Sequence, residues 1–234
     1  MSSSTAPRRP THLRAPWAPT IALLALSILA TSPLLAATEA VDSVNTQWIL
    51  AKLARPAPMR TAFVELRDSP LLKAPLRIAG EYSRPTDDTL VREVRAPYAE
   101  TTTIHSGTVS IARAGKTPRT FSLSRVPELA GLQASFGALL SGDRKLLEQH
   151  YRLASSGSRQ HWTLTLTPTD ASFAAKVRDI TLYGRGAELR CIETTPSGKG
   201  LVQRTLLAGA AQAAAEVTTA GELASLCHQA STKQ

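Results

Sequence analysis

The chain has 234 residues, of which 43% are hydrophobic and 5% aromatic, and its formal net charge is +9. This length suits one domain with a sizeable core, and the scarcity of aromatic residues means that aliphatic side chains must line most of its interior. The basic residues are scattered and are not interleaved with aromatic ones. Nucleic acid is therefore disfavoured as a partner, whereas transient contact with an anionic membrane surface is favoured.

The first 37 residues have the composition of a cleaved secretory signal peptide. Residues 1–20 contain three arginines and no acidic residue, and the apolar run that follows closes on small residues. A permanent membrane anchor is the alternative, but Pro33 interrupts the run before it is long enough to span a bilayer. We expect cleavage near Ala36 or Ala37 and, because no cysteine adjoins that point, a soluble exported chain without a lipid anchor. Removing residues 1–37 leaves 24 basic and 18 acidic residues, a formal charge of +6.

The next segment predicts a helix. Val44, Trp48, Ala51 and the flanking Ile49 and Leu53 form an apolar stripe at helical spacing, and Pro56 ends the pattern. We expect this helix to dock by one face on the body of the protein.

The apolar pattern then changes from helical to alternating spacing. In the first candidate strand Phe63 and Glu65 share one face and Val64 and Leu66 the other, so the pattern does not settle which face is buried. The following segments each have one apolar and one polar face, which predicts an antiparallel sheet with one side in solvent. Their apolar positions include Leu76, Ile78, Tyr82, Val109, Ile111, Phe121 and Leu123.

A helical insertion, called the lid below, separates two blocks of predicted strands. Leu129, Leu132, Phe136 and Leu139 recur at helical spacing, and residues 141–143 supply a break and a new helix start. The lid is expected to cover a surface that the sheet leaves open.

Strands resume after the lid and end in an alanine-rich tail. Trp162, Leu164 and Leu166 alternate with threonines, which is typical of a strand with one buried face. In the tail, residues 208–234, Thr219 and Glu222 have the spacing of a capping box, which predicts one short docked helix.

Cys191 and Cys227 are the two cysteines of the chain. In an oxidising compartment they are candidates for a disulfide that clips the tail to the body, and two buried, inert thiols are the alternative. Their spacing does not fit a zinc site or a redox motif.

The sequence contains no recognisable catalytic signature. The nucleophile elbow, the metalloprotease motif and nucleotide-binding motifs are absent, and the histidines lie in unrelated contexts. We therefore expect a protein that is not an enzyme and that has no cofactor and no metal.

Several short motifs follow one another along the predicted strands: Phe63 with Glu65, Gly80 with Tyr82, Arg84 with Pro85, Pro97 with Glu100, and Gly107. In this order and spacing they resemble the periplasmic outer-membrane lipoprotein carriers, the LolA-like family, and in particular its divergent LolA-related branch, which has leucine at the position of Tyr82. The resemblance extends from about Trp48 to Leu207. One departure is the stretch after the Arg-Pro pair, where Arg92 stands among positions at which the family has large aromatics.

The resemblance implies an α+β fold: an incomplete, half-open antiparallel β-barrel over residues 38–207, with helices covering its concave face. That face would receive acyl chains. Arg84 matches the family's arginine that bonds to the lid and holds it closed when the cavity is empty, and an ordinary solvated charge at a strand end is the alternative. The expected lipid-binding residues are Phe63, Ile78, Tyr82, Leu90, Val94, Val109, Ile111, Phe121, Leu123, Leu132, Phe136, Leu139, Trp162, Leu164 and Leu166.

These features together predict a monomeric periplasmic carrier that shields the acyl chains of a lipoprotein or another lipidated envelope molecule. Its partners would be the acylated cargo, an inner-membrane donor and an outer-membrane acceptor. An envelope adaptor protein whose barrel is filled by its own side chains is a second hypothesis, and a small exported hydrolase is a third.

Overall fold

The computed structural model describes residues 44–67, 73–123 and 137–228. The predicted signal peptide and the lid residues Leu129, Leu132 and Phe136 lie outside the described residues. The strands are β1 (Met59–Arg67), β2 (Leu76–Arg84), β3 (Thr89–Ala96), β4 (Glu100–His105), β5 (Thr108–Arg113), β6 (Arg119–Ser122), β7 (Tyr151–Gly157), β8 (Trp162–Pro168), β9 (Val177–Arg185), β10 (Glu188–Pro196) and β11 (Gln203–Leu207). The helices are α1 (Thr46–Leu53), α2 (137–141), α3 (Arg144–Glu148), α4 (Ala171–Ala174), α5 (Ala208–Ala213) and α6 (Ala220–His228).

The strands form one 11-stranded antiparallel sheet in the order β6-β5-β4-β3-β2-β1-β11-β10-β9-β8-β7. Its two end strands, β6 and β7, do not pair with each other in the described part of the chain, so the sheet is not closed. This arrangement confirms the predicted α+β class and the open antiparallel architecture. The last strand, β11, returns to pair with β1, which places both in the middle of the sheet.

Helices α1 and α3 cover the inner face of the sheet over strands β7 to β10. Asn45 caps α1 by accepting a hydrogen bond from the Trp48 N–H at 2.9 Å, and the apolar stripe of the helix turns Ile49 and Leu50 into the core. Beneath the helices, side chains from β8 and β9 pair across the sheet, including Leu164 opposite Leu182. The predicted docking of the first helix by one face is therefore observed, but the buried face consists of Ile49, Leu50 and Leu53, and Ala51 of the predicted stripe is exposed.

Trp162 owes its buried position to a glycine on the neighbouring strand. Gly184 lies directly opposite it, and a Cβ on Gly184 would lie only 1.9 Å from a carbon of the Trp162 ring. The ring nitrogen Nε1 donates a hydrogen bond to the Gly186 carbonyl at 2.9 Å, so the one polar atom of the indole is satisfied.

Helices α5 and α6 cover the outer face over β1, β10 and β11, a face that the sequence analysis expected to be in solvent. Two consecutive residues within β1 are buried on opposite faces of the sheet. Phe63 is 1% exposed on the inner face, and Val64 is 4% exposed on the outer face. The alternating pattern of this strand was ambiguous because both of its faces are covered. Small side chains at Ala210 and Ala214 allow the helix backbone to approach the sheet closely.

The described part of the tail, residues 208–228, contains two helices where the sequence predicted one. The predicted capping box of α6 is confirmed: the Thr219 hydroxyl accepts from the Glu222 N–H at 3.2 Å, and the Glu222 carboxylate accepts from the Thr219 N–H at 3.1 Å. A disulfide joins Cys191 of β10 to Cys227 of α6, with 5.2 Å between their Cα atoms. The two cysteines are therefore not free thiols, and the predicted disulfide joins the tail covalently to the sheet.

Candidate ligand-binding cavity

A cavity of about 490 Å³ lies between the inner face of the sheet and helices α1 and α2. Its volume falls within the range of pockets that hold one small organic molecule. The wall is predominantly aliphatic. Side chains that contribute to it include Leu53, Tyr82, Leu90, Leu139, Leu189 and Leu207.

Arg84 lies at the mouth of this cavity and is buried despite its charge. Its Nη1 donates to the Arg55 carbonyl at 2.8 Å, and its Nη2 lies 2.7 Å from a carboxylate oxygen of Asp87. Proline at the next position ends β2 because it lacks an N–H, which leaves the guanidinium at the strand end, where it can reach another segment. The solvated-edge alternative for Arg84 therefore does not describe this side chain.

The described partners of Arg84 lie in the segment after α1 and in its own turn, and not on the lid. The connection to the lid is indirect, because the Arg55 N–H donates to the Leu140 carbonyl of α2 at 2.9 Å. Arg84 and Leu140 also line a smaller cavity of about 50 Å³. Arg55 thus links the strand-end arginine to α2 through its own main-chain groups.

The Arg55 side chain fixes this segment in place. Its Nη1 donates to the carbonyls of Lys52 and Ala54 at 2.7 Å and 3.0 Å, and its Nη2 donates to the Ala187 carbonyl at 2.9 Å. These bonds satisfy main-chain acceptors at the end of α1 and tie that end to the turn between β9 and β10. The sequence analysis missed this residue; its signal was a second arginine followed by proline, Arg55 before Pro56.

Three of the predicted lipid-binding residues line the cavity, namely Tyr82, Leu90 and Leu139. Phe63, Ile78 and Val94 lie beside it on the same face, in a buried cluster that Tyr82 joins. The rings of Phe63 and Tyr82 are 4.8 Å apart. Burial raises the pKa of the Tyr82 hydroxyl, so this group stays protonated at neutral pH.

The other described candidates do not line the cavity. Trp162, Leu164 and Leu166 lie in the core cluster beneath α1 and α3, because those helices already occupy the inner face at that end of the sheet. In β5 and β6 and the turn after β6, Val109 and Leu123 are buried while Ile111 and Phe121 are half-buried. These residues lie beyond β4, which separates them from β3 and its cavity-lining Leu90.

A half-buried ion pair interrupts the apolar inner face next to Phe63. Arg92 Nη2 lies 2.5 Å from Glu65 Oε1, and the two side chains are 18% and 15% exposed. The Arg92 guanidinium stacks on the Phe63 ring at 4.7 Å from its centroid. Arg92, which stands where the family has large aromatics, therefore pairs with Glu65 on the face that carries Phe63. The pair places two charged side chains next to Tyr82 on an otherwise apolar face.

Three atoms of types that bind metal ions lie close together on the outer face, and they belong to Glu193, Cys227 and His228. The sulfur of Cys227 belongs to the disulfide and is not available as a thiolate. His228 Nε2 lies 2.7 Å from Glu193 Oε2, and the Arg204 Nε donates to the same carboxylate at 2.6 Å. The contact between His228 and Glu193 joins α6 to β10.

The fold and the cavity together define a half-barrel with an aliphatic interior space beneath helices. Residues 36–230 match the family model described as "Outer membrane lipoprotein carrier protein LolA-like", and the chain belongs to this family. The resemblance inferred from the strand motifs is thereby confirmed. A comparison with curated proteins gives no match.

Two solved structures have low similarity to this chain. The LolA superfamily protein NE2245 from Nitrosomonas europaea is 13% identical, with a TM-score of 0.37 over 70% of this chain and 92% of that one. LprF from Mycobacterium bovis is 14% identical, with a TM-score of 0.32 over 70% of this chain and 91% of that one. Among the described residues, no helix combines the length and the apolar character needed to cross a bilayer.

Proposed function

We propose that this protein is a periplasmic, non-catalytic carrier that shields an acyl chain of a lipoprotein or another lipidated envelope molecule on its way to the outer membrane. The observation that carries the proposal is the aliphatic cavity under α1 and α2. Membership of the lipoprotein-carrier family supports a lipid-binding role.

The energetic case follows from the cost of exposing an acyl chain to water. Each methylene that leaves water gains about 0.8 kcal/mol, so a long chain needs roughly ten kcal/mol or more of shielding during transfer. An aliphatic wall such as that formed by Leu53, Leu90 and Leu139 supplies it without specific polar contacts. Release then depends on the protein regaining its own contacts when the cavity empties.

Those contacts are present at the cavity mouth. Leu139 and Leu140 close one side of the cavity from α2, and the hydrogen bonds from Arg84 to Arg55 and from Arg55 to Leu140 hold that side in place. An entering acyl chain displaces α2 and breaks this series of bonds. When the chain leaves, these hydrogen bonds form again. Their free energy offsets part of the binding free energy of the acyl chain, which favours release.

A basic and aromatic surface next to the mouth supports brief contact with an anionic membrane or with membrane-bound donor and acceptor proteins. Lys52 and Arg159 lie 5.9 Å and 5.7 Å from the centroid of the Trp48 ring. Tryptophan flanked by cations is suited to the interface of an anionic leaflet. The carrier is proposed to act as a monomer that meets each partner in turn.

The proposal is tested by lipid analysis of the full chain purified from a Gram-negative host without detergent. We expect co-purified acylated molecules in the wild type and their loss in Leu139→Glu, which places a charge in the cavity wall. Leu201→Glu is the matched control, because Leu201 is 67% exposed and lies outside the cavity lining. Absence of bound lipid, together with failure to bind a fluorescent fatty-acid probe, would contradict the proposal.

A specific observation favours the adaptor alternative, in which the barrel holds no cargo. The inner face over β7 to β10 is filled by the protein's own side chains, including Trp162, Leu164 and Leu147. The same experiment separates the two functions, because a filled barrel predicts that neither the wild type nor Leu139→Glu binds lipid.

A further inference from the structure

Four side chains of types that bind metal ions surround the disulfide on the outer face of the sheet. The ligand atoms of Glu193, Cys227 and His228 all lie within 4.8 Å of one another. Cys191 is bonded to the Cys227 sulfur, so its own sulfur adjoins the same three atoms. After reduction of the disulfide, two thiolates, an imidazole and a carboxylate provide the four ligands of a tetrahedral zinc site.

The fold supplies these ligands in two pairs. Cys191 and Glu193 are alternate residues of β10 and therefore point to the same face of the sheet. Cys227 and His228 end α6, which packs on that face through Leu223. The sequence shows no zinc motif because 36 positions separate the two cysteines.

The contact between His228 and Glu193 does not depend on the disulfide. His228 Nε2 lies 2.7 Å from Glu193 Oε2, which favours keeping the end of α6 near β10 after reduction. The carboxylate is also held from behind, because Arg204 Nε donates to Oε2 at 2.6 Å and the Tyr183 hydroxyl donates to Oε1 at 3.4 Å. Hydrogen bonds of this kind orient a carboxylate ligand toward a metal ion.

The charges around the four ligands suit a bound dication. Zn²⁺ neutralises two of the three anionic ligands, which are the two thiolates and the Glu193 carboxylate, and one negative charge remains. Arg204 lies beside that charge and is 17% exposed, so its guanidinium balances the complex. Zinc fits this set better than a hard cation such as Mg²⁺, because thiolate and imidazole are among its preferred ligands.

A small cavity leads to the buried sulfur atoms. Cys191 is fully buried and Cys227 is 4% exposed. Cys227 and His228 line a cavity of about 160 Å³ together with Tyr183 and Arg190. Because a water molecule takes about 30 Å³, this space admits a metal ion or a small thiol to the Cys227 sulfur.

We propose that the reduced chain binds one Zn²⁺ ion through Cys191, Cys227, His228 and Glu193, in place of the disulfide. A dithiol supplies the two electrons and two protons that break the S–S bond and is itself oxidised to a disulfide. Zn²⁺ then displaces the two thiol protons into solvent. In either state α6 is tied to β10, and this inference does not depend on the carrier function.

The exchange is reversible. A disulfide of another molecule takes two electrons from the two thiolates and two protons from solvent, and leaves as a dithiol. The S–S bond between Cys191 and Cys227 forms again, and the Zn²⁺ ion is released.

Titration of the full chain with Co²⁺ tests the site, because Co²⁺ accepts the ligands of zinc and is coloured. The protein is reduced with dithiothreitol, separated from it by anaerobic gel filtration, and titrated with Co²⁺ and then with Zn²⁺. We expect one Co²⁺ per chain with the near-ultraviolet charge-transfer absorption that thiolate ligands give, and loss of this absorption when Zn²⁺ is added. The oxidised chain is expected to give no such absorption.

Single substitutions test the other two ligands. Glu193→Gln and His228→Ala are each expected to weaken Zn²⁺ binding by the reduced chain at least about tenfold, since even partners of a ligand contribute that much to metal affinity. Glu216→Gln and His105→Ala are the matched controls, because both residues are exposed and lie outside the ligand cluster. The controls should retain the affinity of the wild type.

Amide exchange of α6 gives a second readout that does not depend on the cobalt spectrum. Exchange across α6 should be faster in the reduced chain than in the oxidised one, and Zn²⁺ should restore the protection. In the double variant with alanine at Cys191 and Cys227 the thiolates are absent, so Zn²⁺ should leave the exchange of α6 unchanged.

Four results would overturn the inference. Resistance of the disulfide to dithiothreitol would show that the exchange does not occur in the folded chain. Absence of thiolate absorption in the reduced chain with Co²⁺ would show that the sulfur atoms do not bind the ion. Wild-type Zn²⁺ affinity in both Glu193→Gln and His228→Ala would leave the two thiolates as the whole site. Unchanged exchange of α6 after Zn²⁺ is added to the reduced chain would show that the ion does not join α6 to β10.

Discussion

Replacement of Arg84 by leucine tests whether the bond at the cavity mouth opposes ligand binding. The variant keeps an aliphatic side chain but loses the hydrogen bond to the Arg55 carbonyl and the contact with Asp87. A hydrogen bond from a charged donor contributes about 1.5–3 kcal/mol. The Asp87 pair adds little, because Asp87 is 81% exposed. We therefore expect the closed, empty form to lose about 2 kcal/mol.

The expected result is tighter binding and slower release. If the Arg84 bond exists only when the mouth is closed, a loss of about 2 kcal/mol from that form raises ligand affinity by about 30-fold. A fluorescent fatty-acid probe measures both quantities, its equilibrium affinity by titration and its release rate by stopped-flow displacement. Amide exchange at Arg55 reports the local effect, because its N–H bonds to the Leu140 carbonyl.

Asp87→Asn is the matched control for this prediction. It removes the ion pair and leaves the bond from Arg84 to Arg55 in place, so probe affinity should change by less than about fivefold. The reasoning is refuted if Arg84→Leu folds normally and binds the probe within twofold of wild type. It is also refuted if Asp87→Asn reproduces the full effect, since the exposed pair and not the link to Arg55 would then hold the mouth.

Three further predictions concern the framework around the cavity. Gly184→Ala should lower the free energy of unfolding by about 1–3 kcal/mol, because the added methyl group overpacks a full core site; denaturant unfolding measures this. Replacing Cys191 and Cys227 by alanine opens a 36-residue loop and should cost about 4 kcal/mol in the same assay, while probe binding persists. Hydrogen bonds, first from the Thr219 hydroxyl and then from main-chain N–H groups, hold the pKa of Glu222 below its ordinary value. The stability this carboxylate gives α6 is therefore present above its unfolded-state pKa and is lost as pH falls through the lower folded-state pKa; in Thr219→Ala, amide exchange of α6 should depend less on acid pH.

Each of these predictions has its own control. Gly198→Ala adds a methyl group where no atom lies within 4 Å and should leave stability unchanged. For the disulfide, retention of wild-type stability after reduction would contradict the assigned role of the clip. For the capping box, identical acid dependence of amide exchange in wild type and Thr219→Ala would show that Glu222 does not act through that hydroxyl.

Much of the sheet could be predicted because local patterns and tertiary packing agree there. Strand β8 is the plainest case, since Trp162, Leu164 and Leu166 alternate with threonines and are buried as the alternation predicts. The capping box at Thr219 depends on residues three apart on one helix, so its geometry is also local.

The covered outer face could not be predicted from the same patterns. Alanine has little hydrophobic contrast, and the pattern of the tail therefore gave no sign that α5 packs on β1. Val64 and Phe63 gave an ambiguous pattern for the related reason that both faces of one strand are buried. The cavity is likewise a tertiary gap, which depends on how closely α1 and α2 approach the sheet and not on any one segment.

The register of the sheet determines which charged residues on the inner face form pairs. Glu65 and Arg92 lie on strands separated by β2 and meet because both belong to the face that carries Phe63. The sequence shows the two charges and shows that Arg92 replaces an expected aromatic residue. Predicting that Arg92 pairs with Glu65 also requires the register of β1, β2 and β3, which the sequence pattern does not give. The same holds for Arg55, whose partners include a carbonyl 132 residues away.

The two coverings of the sheet have different mechanical consequences for the cavity. On the outer face, α5 and α6 pack closely on β1, β10 and β11 and are fixed by the disulfide, so we expect the wall behind the cavity to be held firmly. On the inner face, α2 is joined to the neighbouring segment by the bond from Arg55 to Leu140. A ligand that needs more space must therefore displace α2 and not the sheet. We expect this displacement to break the hydrogen bond from Arg84 to the Arg55 carbonyl, so a larger ligand loses more binding free energy at this contact.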